Sequence, residues 1–466
     1  MLDSVGNQKI RKIQKGVKVF KILSENKIFA GKRTLFHSRA VFLVLVVVVE
    51  SVSSCFAQEN SSLTLEEAIE LAVQNDDWLL ISEQEENAYL EEAVAAYKLP
   101  DPKMMVGLAN LPVDSFAFEQ EPMTQFRLGV NQSFPRGATR ELLSKKIGLQ
   151  SQVNPIYREN RAANVKLEVT GLWLDVYLSA QSISLIENDR DLFEQLVDIT
   201  SARYTSAAGL SRQQDLIRAE LELVRLDERL AALRQRQDSN KQRLAEWLPY
   251  QVVSLPFNTE LPELQASEAE LTGLNQAAEF FRDHPIIRAN EKQIEIAQTQ
   301  VEITRQSFKP SFSVGASYGY RERSPQGINR DDFVSFDLNF DLPIFTKNRQ
   351  QPRLRASQYR ASARQTEKML LIKELFARYQ DAQAQLEMLD ERRAIFNDSL
   401  LSQLSDLTEA TLSSYTADEG DFEEVMRAYI AQLNANIELL QLDIDRLKVI
   451  SILDYLVTRS NPEVNL

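Results

Sequence analysis

The chain is predicted to be mainly α with a small β part, on three observations. Glycine and proline are scarce, at 14 and 15 of 466 residues, and the abundant charged residues are rich in Glu, Arg and Lys, which favours helix. The sequence is written twice, Asp77 to Pro135 matching Pro285 to Pro343 at a constant shift of 208. Four short segments switch from a helical period to a period of two. Together they predict an internally duplicated architecture of long α-helical hairpins and two β-hairpins.

Within the duplication KLPDPKMMVGLAN lies over QSFKPSFSVGASY, pairing Pro102 with Pro310, Val106 with Val314 and Gly107 with Gly315. Tyr204-Thr205 then Gly209 recurs as Tyr415-Thr416 then Gly420 at a shift of 211, and Leu216-Ile217-Arg218-Ala219 recurs as Val425-Met426-Arg427-Ala428 at 209. The organisation read from this is a segment 1–57 apart from the rest, a first repeat over 58–250, an inter-repeat linker over 251–276, a second repeat over 277–458 and a tail over 459–466. In the first repeat a helix precedes a β-hairpin at 103–134 and a long helical hairpin at 138–248; in the second the hairpins fall at 311–342 and 349–457.

Residues 1–57 read as a signal peptide. Lys9 to Arg39 carries ten basic residues, and Ala40 to Val49 is an apolar run too short to span a bilayer as a helix. Cleavage after Ala57 satisfies the small-residue rule; the competing reading is lipidation of Cys55 in Val52-Ser53-Ser54-Cys55. Removal of ten basic and three acidic side chains takes the formal charge from -14 to -21, which argues against a nucleic-acid partner. Cys55 is the sole cysteine and there are two histidines, His37 and His284, so cysteine or histidine chemistry has little to work with. No phosphate loop, zinc pattern or nucleophile triad is visible, and Glu66, Glu67 and Asp215 sit where caps and solvated helix faces need them. The sequence therefore predicts no catalytic, cofactor or metal site.

Each repeat opens with a helix. Thr64-Leu65-Glu66-Glu67 is a capping box, and the helix it starts is expected to reach Lys98 before Pro100 and Pro102. The matching helix starts at Asp283-His284-Pro285, with His284 as a helix-start residue, and ends at Pro310. Beyond each proline the strands alternate. Phe312, Val314, Ala316, Tyr318 and Tyr320 alternate with Ser311, Ser313, Gly315, Ser317 and Gly319; Val334, Phe336, Leu338 and Phe340 alternate with Ser335, Asp337, Asn339 and Asp341. Phe126, Leu128, Val130 and Phe134 repeat the pattern, and Met104, Val106 and Leu108 follow it less cleanly. Runs of about nine to eleven residues suit tilted strands that cross a bilayer, apolar toward lipid and polar toward water. Four strands cannot close a barrel, and an open sheet in lipid leaves unpaired backbone groups, so three chains giving four strands each would make a 12-stranded one.

The long helices carry heptads: Leu178, Leu185, Leu192 and Ile199; Leu216, Leu223, Leu230 and Leu244 beside Ala219, Leu226, Leu233 and Trp247; then Leu386, Leu400 and Leu407, and Ala428, Ala435, Leu442 and Val449. Ala138 to Tyr204 would make about 100 Å of helix, kinked at Pro155. The turns near Gly209 and Gly420 use glycines able to take positive φ. Asp418, Glu419 and Asp421 in the second turn read either as a solvated acidic turn or as a charged mouth of nine carboxylates in a trimer. Ser211 and Arg212 in the first turn read as a contact surface.

At this point the pattern resembles the TolC family of outer-membrane efflux factors over residues 63–458. The resemblance rests on LTLEEAIELAVQND, LPDPKMMVG, KPSFSVGASYGY, YTSAAGLSRQQDLIRAELEL and YTADEGDFEEVMRAYIAQL. NQSFPRGATR and DLPIFTKNRQ are similar to passages of the heavy-metal (RND-type) branch, although a glycine common after the second is replaced near Arg349-Gln350. The resemblance implies a homotrimer in the cell outer membrane, in contact with its lipid and reaching into the periplasm. It also implies a periplasmic adaptor (membrane fusion) protein and an inner-membrane pump as partners, with the adaptor meeting the turns at Gly209, Ser211, Arg212 and Gly420. Metal cations and drugs both stay open as cargo. The alternative from another class is a periplasmic coiled-coil adaptor or scaffold protein, which predicts the heptads but neither lipid-facing strands nor the duplication.

Overall fold

A computed structural model describes residues 62–205, 213–266, 269–417 and 419–459. Segment 1–57, with Cys55 and the Ala57-Gln58 bond, lies outside the described residues. Helix α1 (Leu65–Gln74) begins on the expected capping box: the Thr64 hydroxyl accepts from the Glu67 N–H and the Glu67 carboxylate from the Thr64 N–H, both at 3.2 Å. It stops at Asn75 instead of running to Lys98. Asn75 turns its amide back onto the Leu71 carbonyl, and Asp76 caps a second helix, α2 (Asp77–Tyr97), by accepting from the Trp78 N–H. Two capping residues in succession outweigh the helical period around them.

Strands β1 (Lys103–Ala109) and β2 (Gln125–Phe134) form the first hairpin. Then come α3 (Thr139–Ser151), α4 (Val153–Thr205) and α5 (Gln213–Leu244). The expected break at Pro155 falls three residues earlier, at Gln152, because Pro155 has no N–H for the carbonyl one turn back, that of Ser151. Helix α4 alone has 53 residues, about 80 Å.

Between the repeats lie a single turn, α6 (Tyr250–Val253), and α7 (Leu274–Phe280). The segment between them is strapped down: Leu63 pairs with Phe257, the Tyr177 hydroxyl donates to the Thr259 carbonyl at 3.1 Å, and the Tyr379 hydroxyl to that of Ala269 at 3.0 Å. Helix α8 (Pro285–Gln306) opens on His284, whose Nδ1 accepts from the Ile286 N–H. Strands β3 (Ser311–Tyr320) and β4 (Phe333–Asp341) follow. The chain then enters α9 (Gln350–Ile395), a π-turn at Phe396–Leu400, α10 (Leu401–Thr416) and α11 (Phe422–Leu456).

All four strands join one antiparallel sheet in the order β1-β2-β3-β4, so β2 and β3 fuse hairpins that are about two hundred residues apart. The long helices pack as a layer: α5 on α4, α4 on α11, and α11 on α9 and α10. One buried row of α4 is Val165, Leu172, Ser179, Ile186, Phe193 and Thr200, a strict heptad one residue along from the expected Leu178, Leu185, Leu192 and Ile199. The hydroxyls of Ser179 and Thr200 interrupt its apolar pattern. Ser179 and Thr200 satisfy themselves on the carbonyls of Asp175 and Leu196 and so enter the seam dry. In α11 the expected Ala428, Ala435, Leu442 and Val449 are all buried.

The π-turn explains a second displacement. The row Ile372, Tyr379, Leu386, Arg393 resumes as Leu401, Thr408, Tyr415, one residue late, which is the surplus a π-turn absorbs. Leu407, expected in the seam, is therefore exposed.

Candidate functional site

The sheet is inside out for a protein in water. Cross-strand rows Val106-Leu128-Tyr318-Val334 and Met104-Val130-Ala316-Phe336 lie wholly on the uncovered face, with Met104 72% and Phe336 82% exposed. The opposite face carries the rows Lys103-Asn131-Gly315-Asp337 and Met105-Gly129-Ser317-Ser335. There Gly129, Gly315, Ser317 and Gly319 are buried beneath polar neighbours. A Cβ on Gly315 would collide with the Asp337 carboxylate and stand 3.1 Å from Asn131 Nδ2, and one on Gly319 would collide with Gln125. Glycine here lets charged and amide side chains lie flat across the polar face. Arg127 reaches across the same face, its Nη2 donating to the Ser317 hydroxyl at 3.1 Å.

Both ends of the sheet are tied. At one, Arg321 stacks 3.9 Å over the Phe333 ring and donates to the Pro122 carbonyl at 3.0 Å, while Arg330 donates to the carbonyls of Glu119 and Glu121. The two hairpin loops are thus bolted to each other. At the other end Arg136 donates to the Ser307 carbonyl at 2.7 Å and pairs with Asp341.

The helical layer has a charged upper clamp and a quieter lower arm. Arg446 meets Asp390 at 2.6 Å, Arg393 meets Asp443 at 2.5 Å and Arg392 meets Glu438 at 3.1 Å, joining α9 to α11 above the π-turn. Below it α10 has only Asp406 and Glu409 as charges, and no ion pair reaches it among the described residues. Two apolar stripes stay uncovered at the edges of the layer: Ile217, Leu221 and Val224 on α5, and Met388, Ile395 and Leu407 on α9 and α10.

At the helix tip, Asp421 stands at the start of α11 without a side-chain cap bond. The N–H groups of Glu419 and Gly420 both donate to the Ser414 carbonyl, at 3.0 and 3.1 Å. Gly420 does not take the positive φ expected of it; a Cβ there would stand 2.9 Å from the Tyr415 nitrogen, so the residue is small for want of room. Asp418, Gly209, Ser211 and Arg212 lie outside the described residues. Sequence reasoning missed the tie beside them. Glu423 accepts from Arg218 of α5 and Arg427 of α11, and both guanidiniums hold its carboxyl below the usual range. The signal was available, since Arg218 and Arg427 are the matched arginines of the duplicated motif.

Burial perturbs two of the described titratable groups, His284 and Glu159. His284 is buried, donates from Nε2 to the Tyr455 carbonyl at 3.2 Å, and burial lowers its pKa to about 4, so it is a neutral cap. Burial raises the Glu159 carboxyl while Arg288, 3.6 Å away, opposes it. Among the described residues no three His, Cys, Asp or Glu side chains gather as metal ligands.

Residues 279–448 match the family model for outer membrane efflux protein. No curated sequence relative matches the chain. Among solved structures the chain is similar to CusC, at 16% identity and TM-score 0.68 over 85% of this chain and 92% of that one. A membrane protein from Pseudomonas aeruginosa shares 15% identity at TM-score 0.70, covering 85% and 90%. The open state of the Neisseria gonorrhoeae MtrE outer membrane channel shares 16% at 0.66, covering 84% and 88%. Residues 279–448 thus match the outer membrane efflux protein model, and the described elements share the fold of solved outer-membrane channels.

Proposed function

We propose that this chain is one subunit of a trimeric outer-membrane channel that passively conducts solutes out of the cell from a pump and adaptor assembly. The observation that carries the reading is the inside-out sheet with both edge strands unpaired. In hydrocarbon an open edge leaves a row of backbone groups unsatisfied at several kcal/mol each, so the sheet has to be closed by more strands. Three copies give 12 strands, wide enough for a water-filled lumen lined by Arg127, Asn131 and Asp337. The repeats 58–250 and 277–458 each contribute half of a subunit's barrel and tunnel, and segment 1–57 directs export. A soluble adaptor would have no use for a sheet whose apolar face is bare.

The turns at Gly209, Ser211, Arg212 and Gly420 would meet the adaptor, and Asp418, Glu419 and Asp421 would ring the periplasmic mouth. Cargo, whether metal cations or drugs, would be chosen by the pump that feeds this passive duct. Planar-bilayer recording of the purified protein tests this. Stepwise conductance is expected, and replacing Asp418 and Asp421 with Ala should reduce cation preference; a protein that never inserts or conducts would overturn the channel, while unchanged selectivity would remove only the acidic mouth.

A further inference from the structure

The strand-to-helix passage of the second repeat is basic in an acidic protein. From Leu342 to Thr366 the chain carries six Lys or Arg and no Asp or Glu, against a formal charge of -14 for the whole. Three of them, Arg353, Arg360 and Arg364, recur at spacings of seven and four and so share one face of α9. The lower part of that face borders a cleft of about 410 Å³, where Arg360 and Arg364 meet Lys146 of α3 across the intervening α8. The one carboxylate on the cleft, Glu367, is held by Arg364 at 2.7 Å. Among the described residues Lys146 bonds only the Gln300 amide oxygen, at 3.0 Å, and Arg360 has no hydrogen-bond or ion-pair partner. Two positive charges therefore stand at the cleft without a counter-charge.

The first repeat shows that the architecture does not require this. At the shift of 208, Gln293 and Gln300 of α8 correspond to Glu85 and Glu92 of α2. The same helix thus carries carboxylates in one copy and amides of the same shape in the other, and the amides are the ones beside the basic groups. A Glu at 300 would neutralise Lys146 directly, whereas Gln leaves the positive charge in place. We infer that the cleft binds a small organic anion. Lys146 and Arg360 take its carboxylate, sulfonate or phosphate head, the amides of Gln293 and Gln300 donate to it, and Ile296 with Ala297 takes an apolar body. The volume lies within the range of small-molecule sites, about 300–1,000 Å³. Because α3 and α9 flank α8, groups that converge over α8 lie on the hollow side of the layer. That side faces the lumen in the channel reading, on which this inference rests, so the cleft holds anionic cargo shortly before it enters the barrel.

Two measurements on the full chain test the site, with naphthalene-2-sulfonate as the probe. Calorimetric titration of the detergent-solubilised protein should show saturable binding at one site per chain. Arg360→Gln should weaken it about tenfold, and Gln300→Glu, which restores the residue of the first repeat without changing shape, should weaken it at least as much. In a planar bilayer the sulfonate should lower the conductance reversibly in wild type and leave Gln300→Glu unblocked. Binding that is equal in wild type and Gln300→Glu, or equal for the sulfonate and for naphthylmethylammonium, would overturn the anion site and leave the channel standing. Calorimetric binding without block would overturn its place on the conducting path. A protein that passes no current even without the sulfonate would overturn the channel reading, while the calorimetry still decides the cleft.

Discussion

Replacing Val130 with Arg puts a charge where the sheet is supposed to meet acyl chains. Val130 lies midway along β2, between Met104 and Ala316, on the uncovered face. The small neighbour Ala316 leaves room for the longer side chain, so the substitution tests the solvent and not the packing. At the bilayer midplane an Arg costs about 2–4 kcal/mol, or about 6–12 kcal/mol for three copies. On a water-exposed surface the same change stays within about 0.5 kcal/mol. Asn131→Arg is the control, since Asn131 adjoins Val130 on the other face, opposite Gly315 and in reach of Ser313. Urea titration of protein folded into lipid vesicles, followed by heat-modified gel mobility, should show Val130→Arg strongly destabilised and Asn131→Arg nearly unaffected. Equal stability of Val130→Arg and wild type would refute the assignment of the apolar face to lipid.

Three further outcomes are expected. Glu423→Gln should loosen the tip and raise conductance. Because the folded-state carboxyl titrates below 4.5, the tie is complete well above that value and is lost as pH falls through the depressed pKa, so wild type should loosen in strong acid and the variant should not respond. His284 refuses in the folded state a proton that the unfolded chain accepts near pH 6.5; stability is intact above that and falls by up to about 3 kcal/mol as pH drops toward 4, a loss that chemical denaturation of His284→Asn should no longer show. Deleting Asp398 from the π-turn should cost under about 1 kcal/mol, because it leaves both seam rows aligned, whereas deleting Asn188 from α4 rotates Ile186 and Phe193 apart and should cost about 2–5 kcal/mol; melting temperatures distinguish them.

Much of this architecture is legible without coordinates because it is periodic. The alternation from Phe312 to Tyr320 and the matched prolines at 102 and 310 announce the hairpins, and the heptad from Ala428 to Val449 announces a seam. The errors arise where polar chemistry substitutes for apolar pattern. Ser179 and Thr200 enter a core by bonding their own helix, Asn75 and Asp76 divide a helix with side-chain caps, and the single surplus residue near Asp398 moves a whole row by one place. The Glu423 tie depends on two helices that only folding brings together. The exposed stripes were visible as apolar residues, but that they are bare is a fact of burial alone.

Native mass spectrometry of the complex extracted from membranes tests the central claim most directly. Closure of a four-stranded, inside-out sheet by its own copies predicts a detergent-requiring particle of three chains. A particle of one chain, stable in plain buffer, would contradict it.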